Sequence, residues 1–124
     1  MGAKSKTALI TGASQGIGLA CAKRLSQDGC RVIGVDIYKP TAVGPEFADF
    51  LTADVSKSSD CNKAIEDAGQ IDILVNNAGI FEQGSVLDTT LPAFTRTMDI
   101  NVTGVFLGMK SVAPHMVSRG KGSI

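Results

Sequence analysis

The sequence predicts an α/β protein with a doubly wound parallel sheet. Three observations carry this prediction: short apolar runs alternate with amphipathic helical patterns, a glycine-rich turn follows the first run, and no repeat or low-complexity segment interrupts the alternation. Strands that alternate with helices favour right-handed crossovers, which place parallel strands in one sheet with helices on both faces. The 124 residues, 44% of them hydrophobic, are enough for one domain with a buried core.

Two strands and a helix are predicted in the first part of the chain. Thr7–Thr11 is a short apolar run of the kind found in strands that are buried on both faces. From Gly16 to Gln27 apolar residues recur at helical spacing, and Gly29 is a stop signal for that helix. Arg31–Asp36 is predicted to be a second buried strand.

Shorter elements are predicted in the middle of the chain. Proline and glycine residues between Tyr38 and Phe47 indicate a loop. We expect a third strand from Phe50 to Val55, a helix from Ser58 to Ala68 with Ser56 as its cap, and a fourth strand from Ile71 to Val75.

A long helix is predicted from Pro92 to Ser118, because proline suits the first turn and Gly120 ends the pattern. Residues 122–124 look like the start of a fifth strand. A chain that stops there leaves this strand unfinished and one sheet face poorly covered, so we expect residues 1–124 to be one domain that is incomplete at its C-terminus. We interpret the apolar stripe of the long helix as core: Val102, Val105, Phe106, Met109, Val112, Ala113 and Met116.

The composition argues against nucleic acid and membrane partners. Twelve basic and twelve acidic residues balance, and no Lys/Arg run with interleaved aromatic residues is present. No stretch approaches the ~20 apolar residues of a membrane span, and the polar N-terminus runs straight into a strand too short to be a signal peptide core. We therefore expect no nucleic acid partner, no membrane partner and a cytoplasmic location.

The three cysteines and the histidine do not suggest chemistry. Cys21, Cys30 and Cys61 are odd in number and lack the spacing of metal-ligand or redox pairs. We interpret them as reduced, mostly buried apolar residues and expect no metal site. His115 lies next to Pro114 in a helical pattern, where a surface or helix-end role is favoured over catalysis.

A glycine-rich turn, Thr-Gly-Ala-Ser-Gln-Gly-Ile-Gly, joins the first strand to the first helix. Gly12 allows a sharp exit from the strand, Gly16 lets the backbone approach a pyrophosphate, and Gly18 lets the helix pack closely on the sheet. The helix N-terminus offers unpaired N–H groups to phosphates. The turn therefore predicts a dinucleotide site, with a tight turn that binds no ligand as the alternative; its candidate residues are Gly12, Ser14, Gln15, Gly16, Ile17 and Gly18.

Asp36, at the end of the second strand, predicts which dinucleotide is bound. A carboxylate there accepts hydrogen bonds from the adenosine ribose hydroxyls and repels a 2′-phosphate, which favours NAD over NADP. Gln15 agrees, because a basic residue in the turn would suit the extra phosphate. Lys39 lies nearby, where a solvated loop lysine is the favoured interpretation.

The motifs and their order resemble the short-chain dehydrogenase/reductase family, whose fold is Rossmann-like, over essentially the whole chain. The resemblance is carried by the Gly-xxx-Gly-x-Gly turn, Asp54-Val55 after the third strand, Asn76-Asn77-Ala78-Gly79 after the fourth, and Asn101-Val-Thr-Gly-Val-Phe in the long helix. It implies that Asp54 contacts the adenine amino group with Val55 beside the ring. It also implies that Asn77, Ala78 and Gly79 line the adenosine ribose and stabilise the central strands; a simple turn is the alternative.

Asn101 begins a cluster of poor helix formers inside a strongly helical pattern. Local rule-breaking of this kind often marks function. The resemblance makes Asn101 a member of the catalytic group, where a helix kink lets it hold a water in a proton relay. A purely structural kink is the alternative.

The resemblance implies an oxidoreductase that transfers a hydride between NAD(H) and an alcohol or carbonyl substrate, with this chain as the cofactor-binding half. The family's catalytic Ser and Tyr-xxx-Lys would follow Ile124, so the chain alone should be inactive. A homo-oligomer, dimer or tetramer, is also implied. The alternative is a non-catalytic NAD-binding module or pseudoenzyme. Gly84, Ser85 and Val86 approach the substrate on one interpretation and form a surface loop on the other.

Overall fold

The computed structural model describes residues 5–124 and shows a parallel four-stranded sheet flanked by helices. Residues 1–4 of the predicted polar N-terminus lie outside the described part. The predicted fold class is confirmed. In chain order the elements are β1 (Thr7–Thr11), α1 (Gly16–Gln27), β2 (Arg31–Asp36), β3 (Asp49–Thr52), α2 (Ser58–Ala68), β4 (Ile73–Val75), α3 (Leu91–Met98), a π-helical turn (Asp99–Thr103) and α4 (Gly104–Arg119).

The strands lie in the order β3-β2-β1-β4, and every neighbouring pair is parallel. Thr7 pairs with Arg31 in β2, and Ala8 pairs with Ile73 in β4, so β1 occupies the centre of the sheet. Ser123 forms a parallel bridge with Ile73, which places the predicted start of a fifth strand beside β4. The strand order reverses direction between β1 and β4, and ligands of doubly wound sheets bind at such a point.

Each face of the sheet has its own apolar core. On one face α1 covers a cluster formed by Ala8, Ile10, Ala13, Ala22, Cys30, Val32 and Phe50. On the other face α2 and α4 cover a cluster formed by Leu9, Ile33, Val35, Ala53, Ala64, Ile65, Ala68, Ile71, Leu74, Val112 and Met116. Successive strand residues point to opposite faces, and both faces are covered, so the middle of β1 (Ala8, Leu9 and Ile10) and of β2 (Val32 to Val35) carries no polar side chain. Burial of each large side chain contributes about 1.5–3 kcal/mol.

The predicted bounds of β1, α1, β2 and α2 are confirmed, whereas those of β3 and β4 are wrong by a few residues. β3 ends at Thr52, because the Asp54 carboxylate accepts a hydrogen bond from the backbone N–H of Ser56 (3.0 Å) and turns the chain. Ser56 does not cap α2: its hydroxyl donates to Asp54, and Lys57 is the residue at the cap. β4 begins only at Ile73.

The single long helix of the sequence prediction is three consecutive helical segments from Leu91 to Arg119. Thr90 caps the first, since its Oγ1 accepts a hydrogen bond from the N–H of Ala93 (3.2 Å). In the π-helical turn the N–H of Gly104 donates to the carbonyl of Asp99, five residues back. The poor helix formers that begin at Asn101 therefore coincide with a local widening of the helix.

The interpretation of the whole apolar stripe of this helix as core is wrong. Val112 and Met116 are buried against the sheet, but Val102, Phe106 and Met109 are exposed to 53%, 54% and 38%. The sheet-facing row is Gly104, Gly108, Val112 and Met116. A Cβ on Gly104 would lie 2.7 Å from Val55 Cγ2, and one on Gly108 would lie 2.6 Å from Asn76 Oδ1. Only glycine permits the helix to approach its neighbours this closely, so the positions of Gly104 and Gly108 determine which face of the helix is buried.

The cysteines and the histidine lie where the sequence suggested. Cys30 and Cys61 are buried and Cys21 is partly buried, while His115 is exposed. Burial is the main cause that raises the pKa of the Cys61 thiol. Within residues 5–124, no group of three or more His, Cys, Asp and Glu side chains is placed to hold a metal ion, and no helix is both long and apolar enough to cross a membrane.

Candidate cofactor-binding cleft

A cleft of about 370 Å³ opens where the carboxyl ends of the four strands meet. We call it the central cleft. It contains every candidate cofactor residue of the sequence except Ser14, Ile17 and Gly18, and its walls also include four apolar residues that the sequence did not single out. The lining residues are Gly12, Gln15, Gly16, Asp36, Ile37, Ala53, Asp54, Val55, Asn77, Ala78, Gly79, Ile80 and Ile100.

Gly12 and Gly16 both have backbone conformations that favour glycine, with φ of +66° and +58°. A Cβ on Gly12 would lie 2.9 Å from the Cα of Ala78, so the turn passes close to the exit of β4. A Cβ on Gly16 would meet nothing within 4 Å, because this position faces the open space of the central cleft. Backbone N–H groups at such a position can be approached closely by a ligand.

The N-terminus of α1 is free to receive an anion. Gln15 occupies the cap position but makes no side-chain hydrogen bond there, and the first turn holds no acidic residue. A Cβ on Gly18 would clash with the carbonyl oxygen of Gly12, so α1 packs directly against the turn. Ile17 is 75% exposed on the rim. The first N–H groups of a helix lack intrahelical partners, and here the helix begins at Gly16, which lines the central cleft.

Asp36 is held by Ser14 of the glycine turn. Its Oδ2 accepts hydrogen bonds from the hydroxyl of Ser14 (2.6 Å) and from the Ser14 N–H (3.2 Å). Its Oδ1 accepts from the N–H of Ile37 (2.8 Å). Ser14 therefore reaches the carboxylate of Asp36 and does not itself line the cleft.

Asp54, which also lines the central cleft, is held in a similar way by Ser56. Its Oδ1 accepts hydrogen bonds from the hydroxyl (2.6 Å) and the N–H (3.0 Å) of Ser56. The hydroxyl of Ser56 is the main cause that lowers the pKa of Asp54, against the opposing effect of burial. The carboxylate is therefore ionised at neutral pH and can accept a hydrogen bond from an amino group. An outer cleft of about 570 Å³ adjoins the central cleft here. Ile37, Asp54 and Ile100 line both clefts.

Asn77 joins the exit of β4 to the glycine turn. Its side-chain amide donates to the carbonyls of Thr11 and Gly12, at 3.1 Å each. The hydroxyl oxygen of Thr11 accepts from the N–H groups of Asn77 and Ala78, at 3.0 Å each. Sequence reasoning missed Thr11; the available signal was a hydroxyl residue at the end of an otherwise apolar central strand. These bonds close the floor of the central cleft between β1 and β4.

Asn101 lies behind the wall of the central cleft. Its Oδ1 accepts a hydrogen bond from the N–H of Ile80 and its Nδ2 donates to the carbonyl of Ile80, both at 2.8 Å. Ile80 lines the cleft, whereas Asn101 does not. A Cβ on Gly79 would lie 3.3 Å from Asn101 Oδ1, so a larger residue there would press on the Asn101 side chain.

Gly84, Ser85 and Val86 lie outside the central cleft, in an exposed segment before α3. Val86 is 90% exposed, and the Ser85 hydroxyl donates to Asp88 within the same segment (2.8 Å). Ile37, Ala53, Ile80 and Ile100 are the apolar wall residues that sequence reasoning missed. All four adjoin a candidate residue in the chain, and this is the only signal the sequence held for them.

Comparison with known sequences gives one family. The family model described as short chain dehydrogenase matches residues 6–124. Trans-4-hydroxycyclohexanecarboxylate dehydrogenase of Sinomonas cyclohexanicum is 38% identical, over 96% of this chain and 52% of its own length. 2-(R)-hydroxypropyl-CoM dehydrogenase of Xanthobacter autotrophicus is 40% identical, over 97% and 54%. The chain thus spans about half the length of these curated relatives.

Solved structures agree with the sequence comparison. A 3-ketoacyl-(acyl-carrier-protein) reductase from Brucella melitensis, complexed with NADH, superposes with a TM-score of 0.86 at 35% identity, over 95% of this chain and 53% of the other. A blue fluorescent protein from a metagenomic library, in complex with NADPH, superposes with a TM-score of 0.80 at 30% identity, over 92% and 52%. The parallel sheet, the glycine turn and these matches lead to one conclusion: the chain belongs to the short-chain dehydrogenase family.

Proposed function

We propose that this chain is the cofactor-binding part of an oxidoreductase that transfers a hydride between NAD(H) and an alcohol or carbonyl substrate. The observation that carries the proposal is the central cleft, in which the glycine turn, Asp36 and Asp54 converge at the point where the strand order reverses. Two similar structures hold NADH and NADPH, which supports a nicotinamide dinucleotide as the ligand class.

The chemistry of the cleft fits the adenosine diphosphate part of such a cofactor. The open space at Gly16 and the uncapped N-terminus of α1 suit a pyrophosphate. Asp36 offers a carboxylate to the ribose hydroxyls, and Asp54 offers an ionised carboxylate to the adenine amino group. Ile37 and Val55 supply apolar walls for a flat ring.

We propose NAD rather than NADP as the natural partner. The similar structures include both dinucleotides, so the proposal rests on the charges of the cleft. Among the described residues, no lysine or arginine lines the central cleft. Asp36 would repel a 2′-phosphate, and no cation in the cleft wall would offset that repulsion.

We also propose that Asn101 belongs to the catalytic group. A bound nicotinamide cofactor would supply the hydride chemistry, and the residues of the chain would hold and orient it. The side-chain amide of Asn101 is already engaged by Ile80, so its structural task is to hold the loop that lines the cleft. The backbone carbonyl of Asn101, in the π-helical turn, is the group that we propose to hold a water for proton transfer.

A homo-oligomer is part of the same proposal. The outer face of the long helix carries large apolar side chains that are exposed, and such faces are commonly covered by another chain. These side chains are Leu91 (74%), Phe94 (55%), Met98 (41%), Val102 (53%), Phe106 (54%) and Met109 (38%). Sedimentation velocity at several protein concentrations tests this, since a monomer at every concentration would contradict it.

The decisive test of the proposed function is to titrate the purified chain with NADH and to measure binding by calorimetry. We expect saturable binding that Asp36→Ala weakens by at least tenfold. Lys63→Ala, on the exposed face of α2, is a control that should leave binding unchanged. Absence of binding would reject the proposal. Binding by the natural full-length protein without turnover of any alcohol or carbonyl would instead favour a non-catalytic NAD-binding module.

A further inference from the structure

The two carboxylates of the central cleft are each held by one serine through the same pair of groups. Ser14 reaches Asp36 with its hydroxyl (2.6 Å) and its N–H (3.2 Å). Ser56 reaches Asp54 with its hydroxyl (2.6 Å) and its N–H (3.0 Å). In both pairs the two donors share a single carboxylate oxygen. The pairs differ in chain separation, since Ser14 and Asp36 are 22 residues apart whereas Ser56 lies two residues after Asp54.

These contacts occupy most of the hydrogen-bond acceptor positions of the Asp36 carboxylate. A carboxylate oxygen has about two acceptor positions. The two donors of Ser14 fill those of Oδ2, and the N–H of Ile37 takes one on Oδ1 (2.8 Å). The position left for a ligand is therefore the second acceptor position of Oδ1. Because Ile37 is the next residue, Ser14 is the contact that fixes the carboxylate from another element.

We propose that Ser14 is a positioning residue that sets the preference for NAD over NADP by holding the carboxylate of Asp36 in place. This inference rests on the proposed function. A fixed carboxylate presents one oxygen to a ribose hydroxyl and cannot turn away from a 2′-phosphate. Without the Ser14 hydroxyl the carboxylate keeps only the bonds from the N–H groups of Ser14 (3.2 Å) and Ile37 (2.8 Å) and is less firmly fixed. It then holds a ribose hydroxyl more weakly and can turn further from a 2′-phosphate.

The geometry of the cleft explains why the effect is selective. Ser14 does not line the central cleft, so its hydroxyl acts on a ligand through Asp36. NAD and NADP differ only at the adenosine ribose, which is the group that Asp36 faces in the proposed complex. They share the adenine ring, which Asp54 faces. Loss of the Ser14 hydroxyl should therefore affect the two dinucleotides differently, and loss of the Ser56 hydroxyl should affect them alike.

The test measures the Kd of NADH and of NADPH for the purified chain and its variants. For Ser14→Ala we expect NADH binding to weaken by about tenfold while NADPH binding is unchanged or tighter. Ser14→Thr keeps the hydroxyl and should restore the ratio of the two Kd values to within about twofold of the original. In an Asp36→Ala background, Ser14→Ala should leave that ratio unchanged, because the group through which Ser14 acts is gone.

Ser56→Ala is the matched control. It removes the same hydroxyl-to-carboxylate bond and should weaken both dinucleotides equally. Circular dichroism checks that each variant is folded, and Ser14→Cys, which retains the side-chain size, replaces Ser14→Ala if the latter does not fold.

Three outcomes would overturn the inference: an unchanged Kd ratio in Ser14→Ala, a ratio shift of the same size in Ser56→Ala, or a further shift from Ser14→Ala when Asp36 is already alanine. In all three the original chain still prefers NADH, so the proposed function survives. An original chain that binds neither dinucleotide, or prefers NADPH, rejects the proposed cofactor and this inference together.

Discussion

The side-chain amide of Asn101 pairs with both backbone groups of Ile80, 21 residues earlier, through two hydrogen bonds of 2.8 Å. This pair connects the π-helical turn to the segment that leaves β4. It fastens one wall of the central cleft, since Ile80 lines that cleft. The position of the wall therefore depends on one side chain of the long helix.

Asn101→Ala should loosen the segment around Ile80. Both hydrogen bonds are lost, and we expect the unfolding free energy to fall by about 1 kcal/mol and the exchange protection of the Ile80 amide to fall by about tenfold. Hydrogen exchange followed by NMR measures the second effect at that residue. Asn62→Ala is the control, since Asn62 is also exposed and its side chain accepts a hydrogen bond from the hydroxyl of Ser111 (2.9 Å), away from Ile80. Unchanged protection at Ile80 would show that the pair has no structural role.

Gly16→Ala and Gly69→Ala form a matched pair. Both glycines have positive φ, +58° and +79°, and a Cβ at either would meet nothing within 4 Å. Each substitution should lower the unfolding free energy by about 1–2 kcal/mol, because alanine is strained at positive φ. Only Gly16→Ala places a methyl group in the central cleft, so it alone should weaken NADH binding, by at least about tenfold. Equal binding losses in both variants would mean that Gly16 acts through stability alone.

Thr11→Val removes the hydroxyl that accepts from Asn77 and Ala78 without changing the size of the side chain. Thr11 is 7% exposed, and without its hydroxyl the N–H of Ala78 loses this acceptor, while the N–H of Asn77 keeps only its bond to the carbonyl of Val75 (3.1 Å). We expect a loss of about 1–3 kcal/mol in unfolding free energy, measured by urea denaturation. Thr11→Ser retains the hydroxyl and should recover most of the loss. If valine is as stable as threonine, the hydroxyl does not hold the floor of the cleft.

The lowered pKa of Asp54 makes the stability of the folded state depend on pH. Its hydrogen bonds from Ser56 favour the ionised form in the folded state, so the folded pKa lies below the unfolded value of about 3.9. The stabilisation is therefore present above pH 4 and is lost as the pH falls below that value and through the folded pKa. Carboxyl chemical shifts should show this directly. In Ser56→Ala the pKa of Asp54 should rise toward the ordinary value; an unchanged pKa would mean that another group sets it.

Much of the fold could be predicted because its signals are local. Apolar runs predict β1 and β2, and helical periodicity predicts α1 and α2. The predicted bounds of these four elements agree with the structure. The errors fell where another contact competes with the preference of the residue type. Ser56 is a good helix cap by type, but its hydroxyl bonds to Asp54, two residues earlier, instead. Val102 and Phe106 follow a helical stripe, but Gly104 and Gly108 bring another face of the helix to the sheet.

The parallel α/β fold, the glycine turn, Asp36 at the end of β2 and Asp54 just after β3 can be read from the sequence alone, because backbone conformation and periodicity are properties of neighbouring residues. Which distant residues contact one another depends on how the elements pack together. Ser14 reaches Asp36 and Asn101 reaches Ile80 because of strand order and helix docking, over separations of 22 and 21 residues. Hydrogen bonds require atoms within about 3 Å, and no local pattern specifies that distance between residues so far apart in the chain.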